Sequence, residues 1–406
     1  MNTIMISKKN KDKTKDKNKD KYTRKNHSTI SFNNRNIEFD KTYIISHGKN
    51  RLGLKFNILA DILNSYGLQK TTNPESNPTF LSLNLLDNNR YDKSYYNTHA
   101  MIFNLLNDSK IIITDKYNLY KAFQKQFPDK CAKYMAKSWE LKTFLSNSTL
   151  MKKITNDGKI MIVKPVGTGA MAGQGITIVS DKHSLEIARR RVAKYKNAMI
   201  SEYLVNPYLF EGKKFHMRAY YMVLVAEENH IKMVQTKLFP FGKILTAKDK
   251  YINGNWENTD VHDTHFESTG RDIYFPDDLP TIEERQIFTR EIFPEMGRCL
   301  RFISEIISPV IEKYDTCQYG YEIFGCDFMV IHKGNPSNPS RVQVKLLEIN
   351  DKVGYLNAAY NKAEQLSKLF FNQIKTGILN PILGRSQLED SDSDADFWDY
   401  IYRKPL

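Results

Sequence analysis

The chain has 406 residues, of which 41% are hydrophobic and 12% aromatic, a composition typical of a folded globular protein. At about 100–200 residues per domain, this length predicts two or three domains or subdomains. No apolar run approaches the roughly 18 residues that a membrane-spanning helix needs, and the basic N-terminus lacks the apolar core of a secretory signal. We therefore expect neither a membrane span nor secretion.

The net charge of +14 is unevenly distributed. Residues 1–36 hold eleven Lys and Arg against three Asp, a net charge of +8. An excess confined to a tail favours an interaction arm over a fold that binds nucleic acid specifically. Cys131, Cys299, Cys317 and Cys326 form no CxxC pair, which favours a reduced protein of the cytoplasm.

The N-terminal third divides into a tail and a small subdomain. Residues 1–37 are rich in Lys, Asn and Asp and predict a disordered basic tail. Three interpretations of this tail stay open: a solvated segment that reflects genome composition, an electrostatic arm for an acidic partner, or a nuclear import signal. Residues 38–112 predict a small α/β subdomain, with a strand at 42–45 and a helix at 56–63.

The rest of the chain predicts two larger subdomains and a second tail. Residues 113–204 form a central subdomain: a basic helical stretch (113–146), a strand (159–163), a glycine-rich loop (167–175), a helix capped by Asp181 or Ser184, and a strand (198–201). Residues 205–378 form a C-terminal subdomain: a strand (215–225), a helix (283–314) kinked at Pro309, paired strands (322–331 and 341–349) and a last helix (358–374). Residues 379–406 form an acidic tail, and the fold class is α/β (α+β).

The paired strands carry a candidate metal site. Glu348 and Asn350 are two residues apart, so they share one face of a largely apolar strand. Asp327 ends the apolar run of the preceding strand, so a hairpin brings the three side chains into reach of one another. Carboxylate and amide oxygens are the hard ligands that Mg²⁺ prefers. The competing interpretation is that these strand-end side chains face water.

Two further patterns suit phosphate. Lys214, His216 and Arg218 share one face of a strand, and three donors aimed into one space suit a polyphosphate. Lys164 ends a strand just before the glycine-rich loop, whose backbone amides can approach phosphate oxygens. The alternatives are an exposed polar strand face and a glycine-rich hairpin without a ligand.

The order of these motifs resembles the ATP-grasp fold, and specifically the tubulin-tyrosine ligase-like family. The resemblance covers residues 110–375 and depends on the ordered set, since no single motif is specific. The segments that carry it are Ile113-Thr114-Asp115-Lys116-Tyr117-Asn118-Leu119, Lys164-Pro165, Gly173-Gln174-Gly175-Ile176, Ser201-Glu202-Tyr203-Leu204, Lys214-Phe215-His216-Met217-Arg218, Gly325-Cys326-Asp327-Phe328-Met329 and Leu347-Glu348-Ile349-Asn350. It implies a C-terminal antiparallel-sheet subdomain, with the nucleotide between this and the central subdomain.

The resemblance also implies residue roles. The nucleotide contacts would be Lys116, Lys164, Lys214 and Arg218 at the phosphates, Gly173 and Gly175 in a flap over them, and Glu202, Tyr203 and Leu204 in an adenine hinge that acts largely through its backbone. The Mg²⁺ ligands would be Asp327, Glu348 and Asn350. The catalytic side chains would be Lys214, Arg218 and Lys237, the last where the family often has a substrate-facing Arg.

Several positions depart from the family pattern. His216 replaces an Asp, Ala172 replaces the flap Arg or Lys, and His265 replaces an Asn in the segment 262–265. At residues 351–354 this chain has Asp-Lys-Val-Gly, where the family usually has small residues together with a Pro. The nucleotide and metal positions are thus retained, while those on the acceptor side are altered.

The implied activity is that of an ATP- and Mg²⁺-dependent carboxylate–amine ligase that acts through an acyl phosphate. The implied partners are a free amino acid and a protein acceptor with an acidic tail, tubulin among the candidates. We expect a cytoplasmic monomer that can associate with the cytoskeleton. Two alternatives stay open: a ligase for a small molecule or peptide, and a catalytically weakened ATP-binding module. The acidic residues 389–396 are either a solvated tail or a segment for self-modification or autoinhibition.

Overall fold

The computed structural model describes residues 27–32, 35–46, 54–72, 78–83, 102–103, 112–166, 175–195, 197–228, 231–264, 273–311, 319–333, 342–351, 375, 379 and 399–405. The start of the basic tail, Ala172, Gly173, His265, the predicted helix 358–374 and the acidic residues 389–396 lie outside the described residues.

The described elements follow the predicted alternation of helices and strands. The strands are β1 His27–Phe32, β2 Arg35–Ser46, β3 Gln69–Lys70, β4 Pro78–Leu83, β5 Ile102–Phe103, β6 Ser138–Glu140, β7 Met161–Val166, β8 Thr177–Val179, β9 Asn197–Glu202, β10 Leu209–Phe210, β11 Lys213–Glu228, β12 Ile231–Thr246, β13 Ile273–Phe275, β14 Tyr319–His332, β15 Val342–Asn350 and β16 Asp399–Pro405. The helices are α1 Leu54–Ser65, α2 Lys116–Gln126, α3 Pro128–Tyr134, α4 Leu141–Leu145, α5 Ser148–Thr155, α6 Lys182–Val192, α7 Thr259–His262, α8 Ile282–Ile287 and α9 Phe293–Ile311.

The larger of two sheets joins the two ends of the chain. Its main path runs β1-β2-β4-β5-β14-β11-β12-β13, and β3, β10, β15 and β16 pair with β2, β11, β14 and β12. Pairing is parallel from β2 through β4 and β5 to β14, and antiparallel from β14 through β11 to β13. The predicted N-terminal subdomain therefore continues, through β5 and β14, into the antiparallel sheet. This mixture of helices and mainly antiparallel strands confirms the α+β fold class.

The smaller sheet has the order β6-β9-β7-β8. Helix α6 begins at a capping box in which the Asp181 carboxylate accepts from Ser184 N–H while the Ser184 hydroxyl accepts from Asp181 N–H. Its apolar stripe of Leu185, Ala188 and Val192 is buried against this sheet, as the helical spacing predicts. The small sheet thus has a core of its own.

Helices α2 and α3 belong to the other core. Leu119, Phe123 and Tyr134 pack into the cluster that covers the large sheet, together with the α9 residues Met296 and Leu300. Residues 116–134 therefore pack with the predicted C-terminal subdomain, although we assigned them to the central subdomain. The stretch 113–146 also contains strand β6, where only helix was predicted.

The side chains of strand β11 alternate between this core and the opposite face of the large sheet. Phe215, Met217 and Ala219 enter the apolar cluster, so the residues between them point to the opposite face of the sheet. Gly242 on β12 allows a close approach here, because a Cβ would collide with the Phe275 ring and the Arg218 carbonyl oxygen. Burying each large apolar side chain of this kind contributes roughly 1.5–3 kcal/mol.

Both predicted tails contain strand where we expected none. β1 and the start of β2 occupy residues 27–32 and 35–37 of the predicted disordered tail, and they pair with register His27↔Asp40. β16, within the predicted acidic tail, pairs with β12 opposite residues 233–238. The backbone hydrogen bonds of a sheet edge stabilise both segments despite their charged neighbours in sequence.

Glu295 provides a test of how α3 is fixed to α9. Its carboxylate accepts hydrogen bonds from the Tyr134 hydroxyl at 2.7 Å and from Lys133 Nζ at 3.1 Å, and it contacts Arg298. Partial burial by itself raises the pKa of Glu295, but these donors outweigh burial and lower the pKa to about 2. Since the folded-state pKa is depressed, the stabilisation is complete above pH 4.5 and is lost as the pH falls through 2.

We predict that Glu295→Gln lowers the free energy of unfolding by about 1–2 kcal/mol at pH 7, allowing for solvent screening. The difference from wild type should shrink between pH 4.5 and pH 2 in thermal denaturation. Glu305→Gln, which changes a half-buried carboxylate on α9 that lies 3.6 Å from the exposed Arg301, is the matched control. A pH-independent difference would contradict this account.

Candidate functional site

The β14–β15 hairpin brings the predicted metal ligands together. Asp327 lies opposite Glu348, and Asn350 lies opposite Gly325, next to a bulge between Asp327 and Phe328. Asn350 Nδ2 donates to Glu348 Oε1 at 2.9 Å and to Asp327 Oδ2 at 3.2 Å. The three side chains thus share one hydrogen-bonded cluster on the same face of the sheet.

Arg218 compensates the charge of Asp327. Its Nε donates to Oδ1 at 2.8 Å and its Nη2 to Oδ2 at 2.7 Å, a bidentate pair set by the register of β11 with β14. Asp327 is 2% exposed. Burial raises the pKa of Asp327 to about 6, although the Arg218 guanidinium acts in the opposite direction.

Lys116 contacts one of these carboxylates from another element, and Lys164 interacts electrostatically with both. Lys116, at the first turn of α2, places Nζ 2.6 Å from Glu348 Oε2. Burial by itself raises the pKa of Glu348, but Lys116 and Asn350 outweigh it and hold that pKa far below its usual range. Lys164, on β7 of the small sheet, interacts electrostatically with Glu348, Lys116 and Asp327. The small sheet therefore contributes a cation to a cluster built on the large one.

Lys214 is a buried cation on the same face of β11 as Arg218. Its Nζ donates to the Tyr203 hydroxyl at 2.6 Å. Burial, together with the nearby charge of Lys164, lowers the pKa of Lys214 to about 7. Its charge therefore changes across the physiological range.

His216 occupies the position between these two cations. Its Nδ1 lies 2.6 Å from the Thr264 hydroxyl, and its Nε2 lies 3.8 Å from Asp327 Oδ2. The departure from the family's Asp thus places an imidazole, held by Thr264, beside Asp327, a predicted metal ligand.

The predicted hinge follows β9. The amide of Glu202 donates to the Lys137 carbonyl and that of Tyr203 to the Ile160 carbonyl, both at 2.9 Å. Among the described residues, the Leu204 peptide makes no hydrogen bond. The backbone N–H groups of Glu202 and Tyr203 are therefore already paired within the protein.

The remaining predicted residues are less closely connected to the cluster. Gly175 ends the glycine-rich loop at φ +80°, and an added Cβ would lie 3.0 Å from Tyr195 Cε2, so glycine fits here for structural reasons. Gly173 lies outside the described residues. Lys237 is buried on β12 opposite Met222, which is four residues, or roughly 13 Å of strand, beyond Arg218.

The sequence did not reveal the side-chain contacts around Lys214. We assigned Tyr203 a backbone role, yet its hydroxyl bonds both Lys214 and His262. His262 and Thr264 lie in a segment that we noted without giving it a contact. The only signal was that this segment resembles a family motif.

Within the described part of the chain, no group of three or more His, Cys, Asp and Glu side chains is arranged to hold a metal. The cluster above consists of two carboxylates and one amide, so it needs further oxygen ligands from elsewhere. None of the described helices is long and apolar enough to cross a membrane.

The two sheets, with a cation-rich cluster contributed by both, are consistent with an ATP-grasp-like fold. A family model described as the tubulin-tyrosine ligase family matches residues 90–271. A probable tubulin–tyrosine ligase of Schizosaccharomyces pombe is 24% identical over 212 residues, which span 50% of this chain and 47% of that protein. These findings confirm the resemblance to the tubulin-tyrosine ligase-like family.

The chain thus spans about half the length of the curated relative that it matches. The family match includes Lys116, Lys164, Lys214 and Arg218, but it ends before Asp327 and Glu348. The acidic half of the cluster therefore depends on the geometry described above.

The charge of Lys214 gives a testable pH dependence. We predict the ratio of two ATP affinities, that of the wild-type protein divided by that of Lys214→Arg. This ratio should be constant below pH 6 and should fall by up to about tenfold per pH unit above pH 7. The ammonium form is present below the pKa and is lost above it, whereas arginine stays charged.

Calorimetric titrations from pH 6 to pH 9 measure the two affinities, and their ratio cancels the titration of ATP itself. A ratio that stays flat across pH 7 would show that Lys214 does not change its charge there or does not contact the phosphates.

Proposed function

We propose that this protein is an ATP- and Mg²⁺-dependent carboxylate–amine ligase of the tubulin-tyrosine ligase-like type. The observation that carries the proposal is one cluster in which Asp327, Glu348 and Asn350 meet Arg218 and Lys116. Lys164 and Lys214 add two further cations, so cationic side chains outnumber carboxylates. Such an excess favours a polyphosphate.

The residues present fit Mg²⁺. Asp327 and Glu348 supply carboxylate oxygens and Asn350 an amide oxygen, and these hard ligands suit Mg²⁺ when phosphate oxygens complete its coordination. Lys116 and Arg218 now compensate the two carboxylates, and Asn350 turns its amide nitrogen towards both. When bound, Mg²⁺ would neutralise charge on the β- and γ-phosphate oxygens.

The side chains of this chain would bind and orient the transferring phosphoryl group. Arg218 uses Nε and Nη2 for Asp327, and its Nη1 carries two more N–H donors. Lys116 on α2 contacts Glu348, and Lys164 on β7 interacts electrostatically with Glu348 and Asp327, so cations from three elements act on the same two carboxylates. Preorganised donors of this kind stabilise charge that spreads over phosphoryl oxygens in the transition state.

The reaction that suits this site has two steps. A substrate carboxylate attacks the γ-phosphorus of ATP, which forms an acyl phosphate and releases ADP. An amine then attacks the acyl carbon, which forms an amide and releases inorganic phosphate. Neither step needs a protein nucleophile, and the buried cluster limits the access of water to the acyl phosphate.

The proposed substrates are a free amino acid and a protein with an acidic tail, with tubulin as the first candidate. The name of the Schizosaccharomyces pombe relative and the family match support this choice. The +8 charge of residues 1–36 gives an acidic partner a complementary arm. We further propose that the protein acts as a cytoplasmic monomer near the cytoskeleton.

A ligase for a small molecule or peptide is the second candidate, and His216 favours it. An imidazole held 2.6 Å from the Thr264 hydroxyl replaces the negative charge that the family places there. A change of charge beside the acceptor side alters which amine can bind.

We predict that the protein incorporates a labelled amino acid into tubulin when ATP and Mg²⁺ are present. Glutamate, glycine and tyrosine are tested separately, with protein-bound label as the readout. Glu348→Gln should lower the rate by about 100-fold or more, because the neutral amide weakens phosphate charge compensation through Mg²⁺. Glu305→Gln should keep the wild-type rate.

The outcomes separate the candidates. Efficient ATP consumption with a small amine and no label in protein would replace the first candidate with the second. ATP binding without turnover of any substrate would leave a binding module. A Glu348→Gln variant as fast as wild type would contradict the proposed role of the cluster.

A further inference from the structure

A chain of hydrogen bonds connects the hinge to Lys214. Lys214 Nζ lies 2.6 Å from the Tyr203 hydroxyl, which lies 2.8 Å from His262 Nδ1. His262 Nε2 lies 2.7 Å from the carbonyl oxygen of Asn255. The chain thus joins the end of β9, strand β11, helix α7 and the turn before α7.

The donors along this chain have one consistent direction. The Asn255 carbonyl can only accept, so His262 carries its proton on Nε2. Burial lowers the pKa of His262, and the nearby charge of Lys214 lowers it further, while the hydrogen bond to the Asn255 carbonyl raises it. Because the pKa is lowered on balance, the ring is neutral and its Nδ1 accepts a hydrogen bond. Tyr203 therefore donates to His262, and its oxygen is left to accept from Lys214.

Aromatic packing fixes the members of the chain. The Trp256 ring stacks on His262 at a centroid distance of 5.6 Å, and it meets the Tyr203 ring edge-on at 5.5 Å. Lys214, Tyr203 and His262 are all buried. A hydrogen bond between such restrained groups defines where the lysine nitrogen sits.

Lys214 requires a fixed partner at this place. Lys214 interacts electrostatically with Lys164 on β7, whose charge lowers the pKa of Lys214, and with Asp263 after α7, whose charge raises it. Its four-carbon side chain is flexible, so without an anchor the ammonium would move away from Lys164. Tyr203 is the described residue that accepts a hydrogen bond from Nζ.

We propose that Tyr203 and His262 are positioning residues for Lys214, and that they hold its Nζ at the phosphate end of the nucleotide site. Tyr203, which directly follows β9 of the small sheet, thereby also positions the phosphate-binding cation Lys214 on β11 of the large sheet. The inference rests on the proposed function, since it takes Lys214 as a ligand of ATP.

The first test compares ATP with adenosine. Tyr203→Phe keeps the ring but removes the hydroxyl, so ATP affinity should fall roughly tenfold while adenosine affinity is unchanged. Tyr251→Phe is the matched control, because the Tyr251 ring also packs on His262 while its hydroxyl donates to the Val205 carbonyl, and among the described residues no hydrogen bond joins that hydroxyl to Lys214. It should bind both probes like wild type.

Two further variants keep the inference testable if Tyr203→Phe does not fold. His262→Phe preserves an aromatic ring but removes the acceptor for Tyr203, and it should lower ATP affinity selectively. His262→Asn restores an acceptor near the Nδ1 position, and it should recover much of the loss. In a Lys214→Met background, Tyr203→Phe should produce no additional loss, because the two residues then act through one contact.

Calorimetry with Mg²⁺-ATP and ligand-observed NMR with adenosine supply the two affinities. Equal losses for both probes, or a full additional loss in the Lys214→Met background, would show that Tyr203 only shapes the hinge and would overturn the inference. Wild-type protein that binds no ATP would overturn the proposed function as well. Wild-type ATP binding with an unaffected Tyr203→Phe variant would overturn the inference alone.

Discussion

The buried carboxylate of Asp327 is the constraint on which the rest of the site depends. An ionised carboxylate at 2% exposure is stable only with a well-placed partner, and Arg218 supplies two hydrogen bonds from the neighbouring strand. The β11–β14 register sets this pair opposite each other, and the β14–β15 register adds Glu348 beside it. The metal-binding prediction and the phosphate-binding prediction thus concern one electrostatic unit.

That unit spans both sheets. The large sheet and α2 provide Arg218, Lys214 and Lys116, whereas β7 of the small sheet provides Lys164. The apolar cluster formed by β11 and α9 keeps one face of β11 rigid. The core therefore also fixes the positions of the charged side chains on the other face. Since cations outnumber carboxylates, the proposed polyphosphate and its metal would balance the charge of the unit.

Strand periodicity was sufficient to predict that Asp327, Glu348 and Asn350 lie together, whereas their role as metal ligands stays a prediction. The spacing of Glu348 and Asn350 places both on one face, and the hairpin then brings Asp327 opposite, as the sequence indicates. The alternation of Lys214 and Arg218 with apolar residues likewise predicts the two faces of β11. These features are local, since they depend on a period of two and one short connection.

Other features depend on contacts that local sequence does not encode. The bond from Tyr203 to His262 spans 59 residues and depends on the path of the segment after β12. Strand β16 follows a run of acidic residues, so its composition concealed the pairing with β12 that stabilises it. Helices α2 and α3 are amphipathic in either subdomain, and only tertiary packing assigns them to the larger core.

Calorimetric titration of ATP in Mg²⁺ and in EDTA tests the central claim most directly, since it asks whether this electrostatic unit binds nucleotide and metal together. The account predicts that Mg²⁺ tightens ATP binding and that an Asp327→Asn, Glu348→Gln double variant loses this effect. ATP binding of equal strength in EDTA, or no ATP binding by the wild-type protein, would contradict it.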